Sequence, residues 1–261
     1  MRERTVLLSA GAACSTIANS ESYLILICEV RSVQKTGERF RLLQERLTDP
    51  LLTALTIMMA VLMFVVAPLQ AVGVFAAHHF GIAFALLLVA AVFMVSGSAL
   101  AVAAILLAIA LVGVATTLRL QQPSIIDVYL DASAWLISGI TLGVVVFRAV
   151  FGPGRVTLHR IIGAVQLYLD IALVFVALFC FVALTVPDAF AGLQMRNNLA
   201  LVDKLIYFSF MTLTSVGYGD ITPLHPIARS LATIEAIIGQ LYPATLLARL
   251  VTLELQHRRA P

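Results

Sequence analysis

Apolar and polar positions in this chain do not alternate as in an amphipathic fold; they separate into long apolar blocks divided by short polar ones. Blocks at about 51–73, 80–96, 98–117, 129–150, 161–186 and 226–253 carry few charges. A helix needs about 20 apolar residues to cross the hydrocarbon core of a bilayer, where it satisfies its own backbone hydrogen bonds without water. The blocks therefore predict an all-α membrane protein with six transmembrane helices. The run over 80–117 is too long for one ordinary span, and Ser96-Gly97-Ser98 near its middle predicts a tight turn that divides it.

Composition points the same way. The chain is 61% hydrophobic and 12% charged, with a mean hydropathy of +1.01, whereas soluble domains are about a quarter charged. Lysine and arginine then orient the blocks. With six spans, only Arg119, Arg196, Lys204 and Arg229 fall on one side, while Arg148, Arg155, Arg160, Arg249, Arg258, Arg259 and the basic residues before position 50 share the other. Positive residues collect on the cytoplasmic face, so both termini are expected in the cytoplasm and the protein in the inner (plasma) membrane. Five spans would move Arg155 and Arg258-Arg259 outside, against this bias. Before the first block, Arg39 to Leu47 reads as a basic amphipathic helix on the membrane surface.

Between the last two blocks, Leu205 to Leu213 is a shorter apolar and aromatic segment that predicts a short helix, with Asn197-Asn198 or Asp203 capping its start. It leads through Thr214 into Ser215-Val216-Gly217-Tyr218-Gly219-Asp220. For successive carbonyls to point one way, the backbone must alternate, with some residues at positive φ, which glycine adopts cheaply. Gly217 and Gly219 stand where that freedom is needed. Five carbonyls so arranged can replace the water shell of a dehydrated cation. A chance glycine turn explains less well a six-residue pattern set between two membrane-length blocks.

This run, with its flanks Thr212-Leu213-Thr214 and Ile221-Thr222-Pro223, resembles the pore loop of the tetrameric potassium channel family, whose filter carbonyls replace the hydration shell of potassium. The resemblance is specific over about 200–225, reasonable over 161–254, and architectural before that. It implies potassium coordination by Ser215, Val216, Gly217, Tyr218 and Gly219, with Val216 and Tyr218 turning their side chains into surrounding protein. The family usually has threonine where Ser215 stands; serine keeps the coordinating hydroxyl but loses the methyl that packs behind it. Asp220 is expected to ring the outer mouth, to brace the short helix, or both. Tyr207 and Phe208 occupy the places of an aromatic cuff behind the filter, and Thr214 supports it.

The same resemblance organises the rest of the chain: an N-terminal segment 1–50, a four-helix peripheral domain 51–150, a linker 151–160, a pore domain 161–254 and a tail 255–261. One filter motif without a repeat implies three further copies of the chain, a homotetramer in membrane lipid. In the last helix, Gly239 is expected as a hinge or as a close-packing residue, and Pro243 as a second weak point. Helical spacing places Gln240, Ala244, Leu247 and Val251 on one face, expected to line an inner cavity with Leu247 or Val251 as its constriction. Glu235 lies about 140° around the helix from Gln240, so it is expected to face the short helix, as a hydrogen-bonded strut or a gating sensor.

Other ionisable residues in the spans carry weaker expectations. Asp170 is expected to pair with Arg148 or Arg160, and Asp127 and Asp131 to face headgroups or water. His225 near the outer mouth is a candidate acid sensor or merely a wetted side chain. The block over 129–147 has no arginine, so Arg148 alone cannot act as a steep voltage sensor. Few residues follow the last block, so an attached cytoplasmic ligand-binding domain is not expected.

Cys14, Cys28 and Cys180 are too scattered for a disulfide framework or metal centre. With no nucleophile–base pair or phosphate loop, the chain is not expected to be an enzyme, to carry a cofactor or to bind nucleic acid; potassium is its permeant ligand. The leading expectation is a passive, voltage-insensitive potassium channel. A less selective cation channel and a non-conducting, sensory pore-like subunit are the alternatives.

Overall fold

The computed structural model describes residues 52–73, 78–95, 98–121, 124–151, 158–193 and 198–259. The basic helix expected over 39–47, Cys14, Cys28 and Asn197 lie outside the described residues. The chain forms α1 (Leu52–Ala71), α2 (His78–Val95), α3 (Ala99–Gln121), α4 (Ile125–Phe151), α5 (Leu158–Thr185), the two-residue strand β1 (Phe190–Ala191), α6 (Asn198–Leu213), β2 (Thr222–Pro223) and α7 (Pro226–Arg259). Five of these helices, α1, α3, α4, α5 and α7, are long and apolar enough to cross a membrane. The apolar run over 80–117 is divided between two helices, α2 and α3, and the described apolar stretch of α2 is Gly81–Ala91. Among the described residues, five helices meet that criterion, where six spans are expected.

Boundaries move for local reasons. Helix α4 starts at Ile125 rather than 129 because Ser124 caps it. The Ser124 hydroxyl accepts from the Ile126 amide at 3.1 Å, and Asp127 Oδ1 accepts from the Ser124 amide at 2.9 Å. Helix α7 runs on to Arg259, through the residues expected to be a tail. Within α1, Leu62–Val66 is a wider π-helical turn just before Pro68. Proline has no amide to donate and its ring crowds the carbonyl four residues back, and a widened turn relieves that crowding.

Helices α2 to α5 pack in sequence order, α4 lying along α5, while α1 lies on α6 through Phe64 and Phe210, whose rings are 4.7 Å apart. The core is filled by Met59, Phe84, Leu88, Ile105, Leu142 and Phe179. Cys180 is buried in it as a small packing residue.

One expectation fails in this core. Asp127 and Asp131 do not face headgroups or water; they are 1% and 5% exposed. Arg119, eight and twelve residues before them, turns in from the end of α3, its Nε 2.7 Å from Asp127 and its guanidinium 2.5 Å from Asp131. A buried carboxylate without a partner is costly, so the pairing fixes how α3 meets α4. Asp170 is not paired with Arg148, and the Arg160 side chain lies outside the described residues; Gln166, one turn earlier on α5, donates to its Oδ1 at 3.1 Å.

Candidate functional site

Helix α6 carries no long charged face and is too short to span a bilayer; it ends where Ser215 to Asp220 begin. A helix leaves its last four carbonyls without intrahelical partners, and here each of them is engaged. The Phe210 carbonyl accepts from the Thr214 amide at 3.0 Å and its hydroxyl at 2.6 Å, that of Met211 from the Gly217 amide at 3.1 Å, and that of Thr212 from the Ser215 amide at 2.9 Å. The Leu213 carbonyl accepts from the Tyr168 hydroxyl of α5 at 3.3 Å. Thr214 thus fastens the loop to the helix with both its polar groups. Asp203 lies in the second turn of α6, too far inside to cap its start.

Beyond Thr214 the backbone alternates. Ser215, Gly217 and Gly219 have φ of +57°, +53° and +82°. Only the last two are glycines, so Ser215 holds a left-handed conformation that disfavours side chains. Its hydroxyl accepts from Gln240 Nε2 of α7 at 2.9 Å, a constraint that the spacing of the sequence does not reveal. All six residues of the loop are exposed within one chain, Val216 by 52% and Tyr218 by 72%. The protein expected to surround Val216 and Tyr218 is therefore not all supplied by their own chain. Part of it is: Tyr207 of α6 stacks on Tyr218 with centroids 6.5 Å apart and planes 5° from parallel, and its hydroxyl donates to Asp220 Oδ1 at 3.1 Å.

Phe208 behaves differently from Tyr207. It points away from the loop into an aromatic cluster, 4.9 Å from Phe179 of α5 and 5.5 Å from Phe190 of β1. Neighbours on a helix point about 100° apart, so the two could not both face the loop. Phe208 anchors α6 to its scaffold instead.

Three residues, Ser209 on α6 with Glu235 and Gly239 on α7, complete the support. Ser209 donates to Glu235 Oε1 of α7 at 2.5 Å and lies 3.2 Å from the Ala172 carbonyl of α5. Glu235 is fully buried. Gly239, one turn further along α7, is pressed against the end of α6: a Cβ there would stand 1.8 Å from the Leu213 carbonyl oxygen. That is the contact only glycine allows, so close packing is a demonstrated duty of Gly239, whatever bending it also permits.

Past Asp220, β1 and β2 pair antiparallel, Phe190 opposite Pro223 and Ala191 opposite Thr222. This small strap brings Gly192, at φ +82°, so close that a Cβ would meet the Asp220 carbonyl oxygen at 2.2 Å. Gly192, Ser209 and Tyr168 are site residues that pattern reading missed; each is an isolated residue whose partner is far along the chain. His225 accepts the Ile227 amide through Nδ1 at 3.3 Å, at the start of α7.

On α7, Gln240, Pro243, Ala244, Leu247 and Val251 are all exposed in one chain. An open cavity of about 790 Å³ lies beside Ser215, Ala236, Ile237 and Gln240. Near the end of α7, Arg249 donates to the Phe151 carbonyl, the end of α4, with its guanidinium carbon 4.9 Å from the centre of the Phe151 ring. Among the described residues, no group of three or more His, Cys, Asp or Glu could hold a metal.

Residues 169–255 match the family model described as "Ion channel". The chain is similar to Protein LctB of Bacillus caldotenax, 33% identical over 100 residues covering 37% of this chain and 74% of that protein. It is also similar to Protein LctB of Geobacillus stearothermophilus, 43% identical over 65 residues covering 25% of this chain and 45% of that one. No solved structure matches the chain.

Proposed function

Since this chain belongs to the potassium channel family, we propose that it conducts potassium passively through a pore built from four copies of itself. Ser215, Val216, Gly217, Tyr218 and Gly219 form the selectivity filter, and potassium is the permeant ligand rather than a bound cofactor. The observation that carries this reading is the left-handed backbone at every second residue, Ser215, Gly217 and Gly219, in a loop wholly exposed within one chain. Alternation turns successive carbonyls toward one side, and four such loops make rings of oxygens at the number and spacing that replace water around a dehydrated ion.

Helix α6 then enters and leaves the membrane from one side. Non-helical backbone at that depth is tolerated where it lines a cavity or is covered by protein, and neighbouring copies would cover Val216 and Tyr218. The carbonyl end of α6 faces the ion path, so its dipole favours a cation by on the order of 1 kcal/mol per helix. Asp220, held by Tyr207, adds a ring of four carboxyl groups that concentrates cations at the outer mouth. Glu235 supports α6 from behind. The exposed face of Gln240, Ala244, Leu247 and Val251 lines the inner cavity, Leu247 or Val251 forms its narrowest point, and Gly239 with Pro243 gives α7 its place to bend. Helices α1 to α4 form a peripheral domain, α2 being a short sixth span, with both ends of the chain in the cytoplasm at the plasma membrane. Helix α4 has no arginine before Arg148, which supports a pore that voltage does not gate steeply.

The test is the reversal potential of purified protein in a planar bilayer under opposed potassium and sodium gradients. A value near the potassium equilibrium potential is expected, with current lost in Gly217→Ala because alanine at φ +53° is strained in every copy. Current without selectivity would favour the less selective cation channel and implicate Ser215. No current from a confirmed tetramer, across voltage and pH, would favour the sensory reading.

A further inference from the structure

We propose that the groove between α4, α5 and α7 is a binding site for an apolar amine, with the amine head on Asp170 and the apolar body lying along α4 toward the cytoplasmic end. The groove encloses about 550 Å³, and its wall includes Gly139 and Gly143 of α4, Val174 and Phe175 of α5, and Ile238 and Tyr242 of α7. That size and apolar lining are those of small-molecule sites. All three helices belong to one copy, so the wall needs no second chain.

Two independent features make it more than an apolar surface. The first is steric. At Gly139 the helices touch, and a Cβ there would stand 2.8 Å from Val174; at Gly143, one turn on, a Cβ meets only Leu167 at 3.7 Å, an ordinary contact. Gly143, with no side chain, therefore leaves space one turn beyond the close contact at Gly139.

The second is chemical. Asp170 also forms part of the wall and is 1% exposed. Gln166 serves its Oδ1, but Oδ2 has no hydrogen-bond partner. Tyr242 cannot serve it, because its hydroxyl donates to the Ala164 carbonyl at 2.8 Å. A buried carboxyl oxygen without a partner is costly. An amine satisfies this group in either protonation state, as an ammonium donating to the carboxylate or as a free amine accepting from the acid. A hydrocarbon or a fatty-acid tail satisfies it in neither.

Charge sets the orientation. Gly139 lies level with Asp170, whose carbonyl oxygen would be 3.6 Å from a Cβ at 139, while Arg148 borders the groove nine residues further along α4, about 13 Å away at the helical rise. A cationic head is drawn to Asp170 and repelled from Arg148, so the tail extends toward Arg148.

The experiment uses the full chain in detergent and n-decylamine carrying a diazirine in its tail, with crosslinked peptides mapped by mass spectrometry. One label per chain is expected, confined to residues 139–147 and 171–175. Excess n-decylamine should suppress it, and decanoate, with the same tail and the opposite charge, should not. Asp170→Asn should lower labelling at least tenfold. Gly143→Leu should abolish it by filling the groove while leaving Asp170 intact, and so decides the matter if Asp170→Asn does not assemble. Label spread over all lipid-facing helices, labelling unchanged in either variant, or competition by decanoate equal to that by the amine would each overturn the proposal. Labelling needs no current, so its outcome is separate from that of the conduction test.

Discussion

Helices α5 and α7 flank the same loop, yet one is finished by its own chain and the other is not. In the apolar stretch of α5, 67% is buried; in that of α7, 11%. Helix α5 has α4 along one side and α6 and α7 along another, and its interior residues Ala172, Val176, Ala177 and Phe179 have no exposed surface. Helix α7 is held at separate points, among them Glu235 on Ser209, Gly239 on Leu213, Gln240 on Ser215, Tyr242 on Ala164 and Arg249 on Phe151. Between them it exposes Ile234, Ile237, Leu241 and Leu247. Exposed apolar side chains of a membrane helix can face lipid at no cost, but Gln240 and the backbone of the Ser215–Asp220 loop beside it are polar and cannot. The open side is therefore the face that the proposed assembly of copies would cover.

The contact shared by both helices offers the harshest way to break this comparison. Gly239→Ala places a methyl inside van der Waals contact of the α6 backbone, and no rotamer relieves it. No folded oligomer is expected on size-exclusion chromatography, and a stable wild-type-like oligomer would show that the close approach is not needed. On the finished side, Arg119→Met strands two buried carboxyl groups and should cost about 3–5 kcal/mol. Because the loss lies within one chain, the drop in thermal midpoint should be the same at high and low protein concentration.

The open side should respond in the opposite manner. Leu241 is 57% exposed in one chain, so Leu241→Asn should leave the monomer intact and shift the oligomer–monomer equilibrium at least tenfold, which is about 1.4 kcal/mol. An oligomer of undiminished affinity, measured by crosslinking across a dilution series, would mean that lipid covers this face. The smallest effect is expected from Tyr207→Phe, which removes one hydrogen bond to Asp220 and keeps the ring against Tyr218. Oligomer stability should not change, while single-channel records should show mean open times shortened several-fold.

Much of the finished side was readable in the sequence because membrane helices announce themselves by length. What escaped reading was pairing. Arg119 and Asp127 are only eight residues apart, but the turn between α3 and α4 decides whether they meet, and the apolar pattern says nothing of that turn. Phe208 and Tyr207 look equivalent in composition, yet their 100° separation on α6 sends one to the loop and the other to Phe179 and Phe190. The loop was legible through Gly217 and Gly219; Ser215 was not, because its positive φ rests on the fold around it, including the bond from Gln240. Glu235 could be placed toward α6 by helical phase alone, though the identity of Ser209 as its partner could not. The π-helical turn of α1 left only Pro68 as a trace.

Adjacent residues on α7, Gly239 and Gln240, grip the end of α6 and the Ser215 hydroxyl respectively. Pro243 comes one turn later. Were α7 to bend at that proline, the part above it would stay clamped to the loop and only the part carrying Leu247, Arg249 and Val251 would swing. The two ends of α7 would then be mechanically insulated, the upper one holding the Ser215–Asp220 loop in place while the lower one moves, with Arg249 passing the motion to the end of α4 rather than to that loop.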